Sequence, residues 1–353
     1  MRPPDTRGVT LLWAPRSPCT LGCLYCYFGT LGGPEDRSSG PSRPGELSHV
    51  GNNDVSLEQI LTFVSTIEPG LVRRVFIAGG EPLVWKGILP MLQALKERGI
   101  EIVVCSNGLP LQRPAMCHTL LDLSIAAISV SLDSHNELYN DTWRPDRSGQ
   151  GWKGVVQGIQ AMVRLRNERQ SHTKIGIYSV LTQKNLEHAL PTGKFVADLG
   201  VDYYVIQPVS LMKDHPLHYE LSLDARHHDA FMHAIADLQQ AGLNLYLPHP
   251  RYVSRVQQTL SRESLPIIKQ CFGGRDLFFI QPDGSVWDCP SSYKIQQTSP
   301  DQHRSIKNTS ATDLFSGERR CRNTDCTLFS VDCVNMWQLM EFDLILQGDS
   351  HDE

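Results

Sequence analysis

Six apolar, β-branched runs recur between residues 9 and 210: VTLLWAP, RRVFIAGG, EIVVCSNG, AAISVSLDS, KIGIYSVLT and YYVIQPVS. Helical patterns such as LEQILTFVSTI, GILPMLQALKERG, WKGVVQGIQAMVRLRNER and DARHHDAFMHAIADLQQAG alternate with them. Strands separated by helices pair in parallel, so the pattern predicts an α/β fold of six β/α units, a partial (β/α)6 TIM-like barrel over residues 1–250. A barrel of this kind carries its chemistry at the carboxyl ends of its strands. Past residue 250 the pattern changes, and residues 251–353 are expected to form a small cysteine-rich domain of β-hairpin and helix. Residues 29–54, rich in Gly, Pro and Ser, read as one long excursion within the first domain.

With 353 residues, 41% hydrophobic and 20% charged, the chain has the balance of an ordinary globular protein with a sizeable core. Its start, MRPPDTRG, is built neither as a signal peptide nor as a transit peptide. No apolar run reaches the roughly eighteen residues of a membrane span, and the expected location is the cytoplasm. Thirty-three basic against thirty-eight acidic residues give a net charge of −5 with no Lys/Arg block, so neither nucleic acid nor a membrane surface is an expected partner. The chain lacks a Walker loop, a dinucleotide fingerprint and a nucleophile elbow. Its ten cysteines should stay reduced in that compartment, and their clustering marks most of them as ligands. Cys105 and Cys117, inside a strand and a helical pattern, read instead as small buried hydrophobes.

Cys19, Cys23 and Cys26 form a C-x3-C-x2-C loop. Three soft thiolates with no fourth Cys or His nearby suit an iron–sulfur cube with one open iron better than a structural zinc site, which four protein ligands normally close. Zinc is the alternative on residue types alone. Three strand ends follow the loop. Gly79 and Gly80 permit close approach to the backbone and Glu81 offers an acceptor, a plain βα turn being the alternative. Ser106 and Asn107 end the next run, where Asn107 reads equally as an Asn-Gly turn. Ser131 and Asp133 end the third, followed by Arg144, whose fork suits a carboxylate ligand or a salt bridge to an acid such as Asp141.

The cysteine loop, with Tyr25 before its third cysteine, resembles the cluster loop of the radical S-adenosylmethionine (radical SAM) enzymes, and Gly79-Gly80-Glu81-Pro82 resembles that family's GGEP motif. The resemblance implies that Cys19, Cys23 and Cys26 hold a 4Fe-4S cluster whose open iron takes the methionine end of S-adenosylmethionine. It further implies that Gly79, Gly80 and Glu81 receive the amino group, that Ser106 and Asn107 contact ribose or carboxylate, and that Ser131, Asp133 and Arg144 serve cofactor carboxylate or substrate. The implied chemistry is reductive cleavage to a 5′-deoxyadenosyl radical, which abstracts hydrogen from a C–H bond. A net oxidation also needs a base, for which Asp133 is a candidate, a turn cap being its alternative role.

Toward the carboxyl end, CFGGRDLFFIQPDGSVWDC predicts two short strands joined by an Asp-Gly turn, which brings Cys271 and Cys289 together. Cys321, Cys326 and Cys333 follow, and four of the five thiols would serve zinc or a 4Fe-4S cluster equally well. The C-x12-G-x4-C spacing resembles the opening of the SPASM and Twitch extensions of radical SAM enzymes, which implies an auxiliary 4Fe-4S cluster. The later spacing, C-x4-C-x6-C, departs from the SPASM pattern, so one cluster and one spare thiol are expected, the spare being inert or a hydrogen-atom donor.

The expected activity is therefore that of a radical SAM enzyme of oxidoreductase or epimerase type, fed by an electron donor such as flavodoxin or ferredoxin. The short stretch before Cys19 favours a small polar metabolite, a sugar or aminocyclitol of natural-product biosynthesis, over the ribosomal peptides that many SPASM enzymes modify. A non-catalytic zinc or redox-sensing protein is the reading from another class.

Overall fold

The computed structural model describes residues 8–27, 53–261, 268–269, 271–291, 294–295, 297–316, 325–326 and 331–346. Cys321 and residues 28–52 lie outside them. Nine strands run in chain order: β1 (Val9–Trp13), β2 (Val72–Ile77), β3 (Glu101–Ser106), β4 (Ala127–Ser131), β5 (Lys174–Leu181), β6 (Tyr203–Pro208), β7 (Leu277–Ile280), β8 (Ser285–Trp287) and β9 (Arg304–Ser305). The first six coincide with the six runs read from the sequence. The chain divides into two compact units interleaved in sequence, one of residues 1–22, 28–106 and 266–329, the other of residues 23–27, 107–265 and 330–353.

In the first unit the strand order is β3-β2-β1-β7-β8-β9. β1 lies between two parallel neighbours, with Leu11 opposite Val75 on β2 and Phe278 on β7. Every residue of β1 is buried, as a parallel strand covered on both faces requires. β7 and β8 form the expected hairpin, with Phe279 opposite Trp287. Gly284 supplies the left-handed backbone of its turn (φ 87°). That hairpin extends the parallel sheet beside β1. Helix α1 (Leu57–Ser65) opens on a capping box between Ser56 and Gln59, and α2 (Ile88–Glu97) follows β2.

The second unit is built on parallel β4-β5-β6, with Ile177 of β5 opposite Val130 and Tyr204. Its helices include α3 (Pro114–Asp122), α4 (Glu137–Trp143), α5 (Gly151–Glu168), α6 (Ala189–Asp198), α7 (His218–Leu221), α8 (His228–Gln240) and α9 (Pro250–Leu260). The helical run expected from Asp224 begins as a short 3-10 turn, because the Asp224 carboxylate accepts from the Arg226 N–H while the His227 ring bonds the Asp224 N–H; α8 starts only at His228. Tyr252 on α9 donates to the Ile206 carbonyl, and Asn335, on the helix Val331–Met340, donates to Pro208. Both bonds fasten the chain's later helices to β6.

Candidate active site at the cysteine loop and strand ends

In the first unit, residues 16–18 lead into Cys19 and are held from two sides. The Asp54 carboxylate accepts from the Ser17 N–H (3.0 Å) and the Ser17 hydroxyl (2.6 Å), and it pairs with Arg16 Nε (3.3 Å). From the other side, Gly80 N–H donates to the Arg16 carbonyl and Glu81 N–H to that of Pro18. Gly79 has φ 111°, and a Cβ there would stand 2.8 Å from the Arg16 oxygen; one at Gly80 would collide with the Ser17 and Pro18 carbonyls. The close approach that the two glycines permit is thus made, on their Cβ side, by the chain's own segment leading to Cys19. Glu81 is fully buried, and its Oε1 accepts from the Leu83 N–H and the Ser106 hydroxyl, each at 3.0 Å. Burial first, and the Glu81 charge second, push the Cys105 thiol up to about 12.

In the second unit, Tyr25 packs its ring among Val209, Leu211 and Leu221, with Trp143 alongside. Its hydroxyl donates to Asp133 Oδ2 at 2.6 Å. Arg144, at the end of α4, places Nη1 3.4 Å from the same oxygen. Asp133 Oδ1 accepts from the Val180 N–H at 2.8 Å. The acid that Arg144 meets is therefore Asp133 and not Asp141, which accepts from the Trp152 N–H. Burial works against the Arg144 charge, but Asp133 and Cys23 outweigh it and hold the guanidinium firmly protonated. Burial pushes the Cys23 thiol up while Arg144 draws it back down. Cys26 N–H donates to the Cys23 carbonyl, closing the turn that carries both sulfurs. Ser131 ends β4, partly buried. Asn107 accepts from the Leu109 N–H at 3.1 Å, forming the Asx turn that is one of its two expected roles.

Among the C-terminal cysteines, Cys271 and Cys289 are buried in the first unit. A Cβ on Gly273 would stand 3.3 Å from Cys289 Cβ and 3.7 Å from Cys271 Sγ, so the two face each other across that glycine. Cys326 pairs by its backbone with Ile268 and influences the Cys271 thiol electrostatically. Cys333 lies in the second unit, buried in the helix Val331–Met340. The sulfurs of Cys19, Cys271 and Cys289 share one local pattern, each accepting the N–H two residues ahead at 3.4–3.5 Å.

Residues 17–190 match the family model of the Radical SAM superfamily. They form a radical SAM domain. Its cofactors, S-adenosylmethionine and a 4Fe-4S cluster, are the two implied by the cysteine loop. Over 201 residues the chain is 26% identical to a probable GTP 3′,8-cyclase of Sulfurisphaera tokodaii, covering 56% of this chain and 55% of that one. The chain spans about half the length of the curated relatives it matches. Among solved structures, Streptococcus suis SuiB bound to S-adenosylmethionine aligns with a TM-score of 0.61 at 16% identity, over 93% of this chain and 72% of that one. A tagged anSMEcpe with bound AdoMet aligns at 0.58 and 16%, over 89% and 82%. These likenesses show the fold, the expected α/β architecture of a partial barrel. Among the described residues no helix is long and apolar enough to cross a membrane.

The radical SAM domain's residues fit its cluster by donor chemistry. Three thiols are the softest donors the chain offers, and N–H groups aimed at sulfur, as at Cys19, stabilise a thiolate. Among the described residues, no three His, Cys, Asp or Glu side chains converge closely enough to hold an ion by themselves. The residues that sequence reading missed are supports of this domain. Asp54 was submerged in a polar excursion, and Asn140 and Asn185, which bond the Asp133 N–H and carbonyl, look like ordinary loop asparagines until the strands are placed.

Proposed function

We propose that this protein is a radical SAM enzyme acting on a C–H bond of a small polar molecule. Cys19, Cys23 and Cys26 hold its 4Fe-4S cluster, and Tyr25, Gly79, Gly80, Glu81, Ser106, Asn107 and Ser131 belong to its S-adenosylmethionine side. When bound, cluster and cofactor supply one-electron cleavage of the sulfonium to methionine and an adenosyl radical able to take a hydrogen atom. The chain's own residues orient the partners and keep competing donors out. The observation that carries this reading is the cysteine loop itself, within the matched domain and clamped at Ser17 by Asp54 and at Tyr25 by Asp133.

A small-molecule substrate is favoured by curated relatives named as GTP 3′,8-cyclases. The narrower expectation of a sugar or aminocyclitol rests on family analogy alone, and the outcome proposed is oxidation or epimerisation at one carbon. Four of Cys271, Cys289, Cys321, Cys326 and Cys333 hold an auxiliary 4Fe-4S cluster in this reading, supported by the Cys271–Cys289 pair and by the N–H groups directed at both sulfurs. The proposed setting is the cytoplasm, with flavodoxin or ferredoxin as reductant.

Anaerobic reconstitution tests the proposal. About eight iron and eight sulfide per chain are expected for two cubes, with reductive cleavage of S-adenosylmethionine and transfer of deuterium from a labelled substrate into 5′-deoxyadenosine. Colourless protein retaining zinc would overturn it.

A further inference from the structure

Within the first unit, Val55 N–H donates to the Pro282 carbonyl at 2.7 Å, in the turn between β7 and β8. Val55 is buried, and Gly284 closes that turn where a Cβ would stand 2.8 Å from Val55 Cγ1. The C-terminal hairpin therefore holds the chain at residue 55 by a backbone bond and by packing. Asp54, one residue earlier, has a side chain only 8% exposed and gives both carboxylate oxygens to Ser17, Oδ2 to the N–H and Oδ1 to the hydroxyl. Arg16 adds a second tie. Its Nε meets Asp54, its Nη1 reaches the Val55 carbonyl at 3.5 Å, and its guanidinium lies over the Trp85 ring, 5.6 Å from the centroid. On their other side, the Arg16 and Pro18 carbonyls accept from the Gly80 and Glu81 N–H groups at 3.0 and 2.9 Å. The segment that ends at Cys19 is thus bonded on two sides, and its position follows both supports.

We propose that Asp54 and Val55 form a brace through which the β7–β8 turn sets the register of Cys19 against the Gly79–Glu81 strand end, with Asp54 as a positioning residue for S-adenosylmethionine. The inference rests on the proposed function, in which Cys19 ligates the cluster and that strand end receives the methionine amino group. It goes beyond that reading by giving the C-terminal hairpin a task separate from any cluster it carries. The cofactor must reach the open iron and the strand end at once, so a slip in register weakens its binding even where cluster and fold persist.

The test uses the full chain, anaerobically reconstituted, as wild type, Asp54→Ala, Asp54→Asn, Gly284→Ala and Leu95→Ala. The readout is the S-adenosylmethionine concentration that half-completes the change in the electron paramagnetic resonance signal of the reduced loop cluster, with iron content and melting temperature recorded beside it. Asp54→Ala should raise that concentration about tenfold, the equivalent of one hydrogen bond to a charged group, and Asp54→Asn should raise it less, because it keeps one acceptor. Gly284→Ala should raise it too: alanine is strained at φ 87°, and Val55, buried and β-branched, cannot turn aside from the added carbon. Leu95→Ala truncates a buried side chain of α2 near the start of β3, and should lower the melting temperature while the half-completing concentration stays at its wild-type value. Should Asp54→Ala fail to retain iron, Asp54→Asn carries the measurement. An unmoved concentration at full iron content in the Asp54 variants or in Gly284→Ala, or an equal rise in Leu95→Ala, would each overturn the inference. Wild type lacking any S-adenosylmethionine-responsive signal would instead overturn the reading beneath it, and this one with it.

Discussion

Tyr25 and Asp133, 108 positions apart in sequence, share a buried hydrogen bond of 2.6 Å from phenol to carboxylate. One end lies in the cysteine loop and the other just past β4, so the bond ties the loop to the end of that strand. Tyr25→Phe keeps the ring's packing and removes only the donor. A hydrogen bond to a charged acceptor contributes about 1.5–3 kcal/mol, and the variant should lose stability in that range by urea denaturation and release its iron faster than wild type.

Gly80→Ala should be worse than its single methyl group suggests. The added carbon meets the Ser17 and Pro18 carbonyls, which are backbone atoms of a segment held by Asp54 and by the Gly80 and Glu81 N–H groups, and cannot yield as a side-chain tip would. Overpacking of this kind costs about 1–3 kcal/mol. The expected result is a lowered melting temperature together with poor assembly of the first cluster, read by iron content.

Asp54→Ala removes the acceptor of a buried Ser17 N–H and the partner of Arg16. An orphaned buried donor costs about 1–3 kcal/mol. Because Ser17 stands two residues before Cys19, the defect should appear as slower cluster formation during reconstitution, with Asp54→Asn recovering part of the rate by keeping one acceptor.

The two cysteine groups should separate cleanly. Replacing Cys19, Cys23 or Cys26 by Ala should abolish the signal that responds to S-adenosylmethionine. Replacing Cys271 or Cys289 should keep that signal and lower iron by about four per chain, the content of one cube. Iron analysis alongside electron paramagnetic resonance distinguishes the two patterns.

Cys105 should resist alkylation in the native metal-free protein. Its pKa of about 12 leaves almost no thiolate at pH 8, and the thiolate is the form that reacts. Raising the pH from 7 to 9 should leave it unmodified while the chain stays folded, and unfolding in denaturant should bring its reactivity to that of an ordinary thiol. Mass spectrometry of iodoacetamide-treated peptides checks both.

The six parallel strands were legible because their apolar runs are local and long enough to fix a period, and the β7–β8 hairpin because an Asp-Gly turn specifies it over a few residues. The register of β7 beside β1 was not legible. Leu11 and Phe278 meet across more than 260 positions, and nothing in either short run names the other. Asp133 illustrates the same limit within the site: its place at a strand end could be read, and so a base or a turn cap was expected. The partners of its carboxylate could not be read, being Tyr25, Arg144 and Val180 from three separate segments.

Residue types and their spacing were enough to point to a soft-metal centre, because three closely placed thiols restrict which metal can bind, and the family resemblance those residues carry pointed to the cofactor. Folding alone decided which groups the loop meets. Tyr25 and Arg144 converge on one oxygen of Asp133 only because β4, α4 and the loop pack together, which no local pattern encodes.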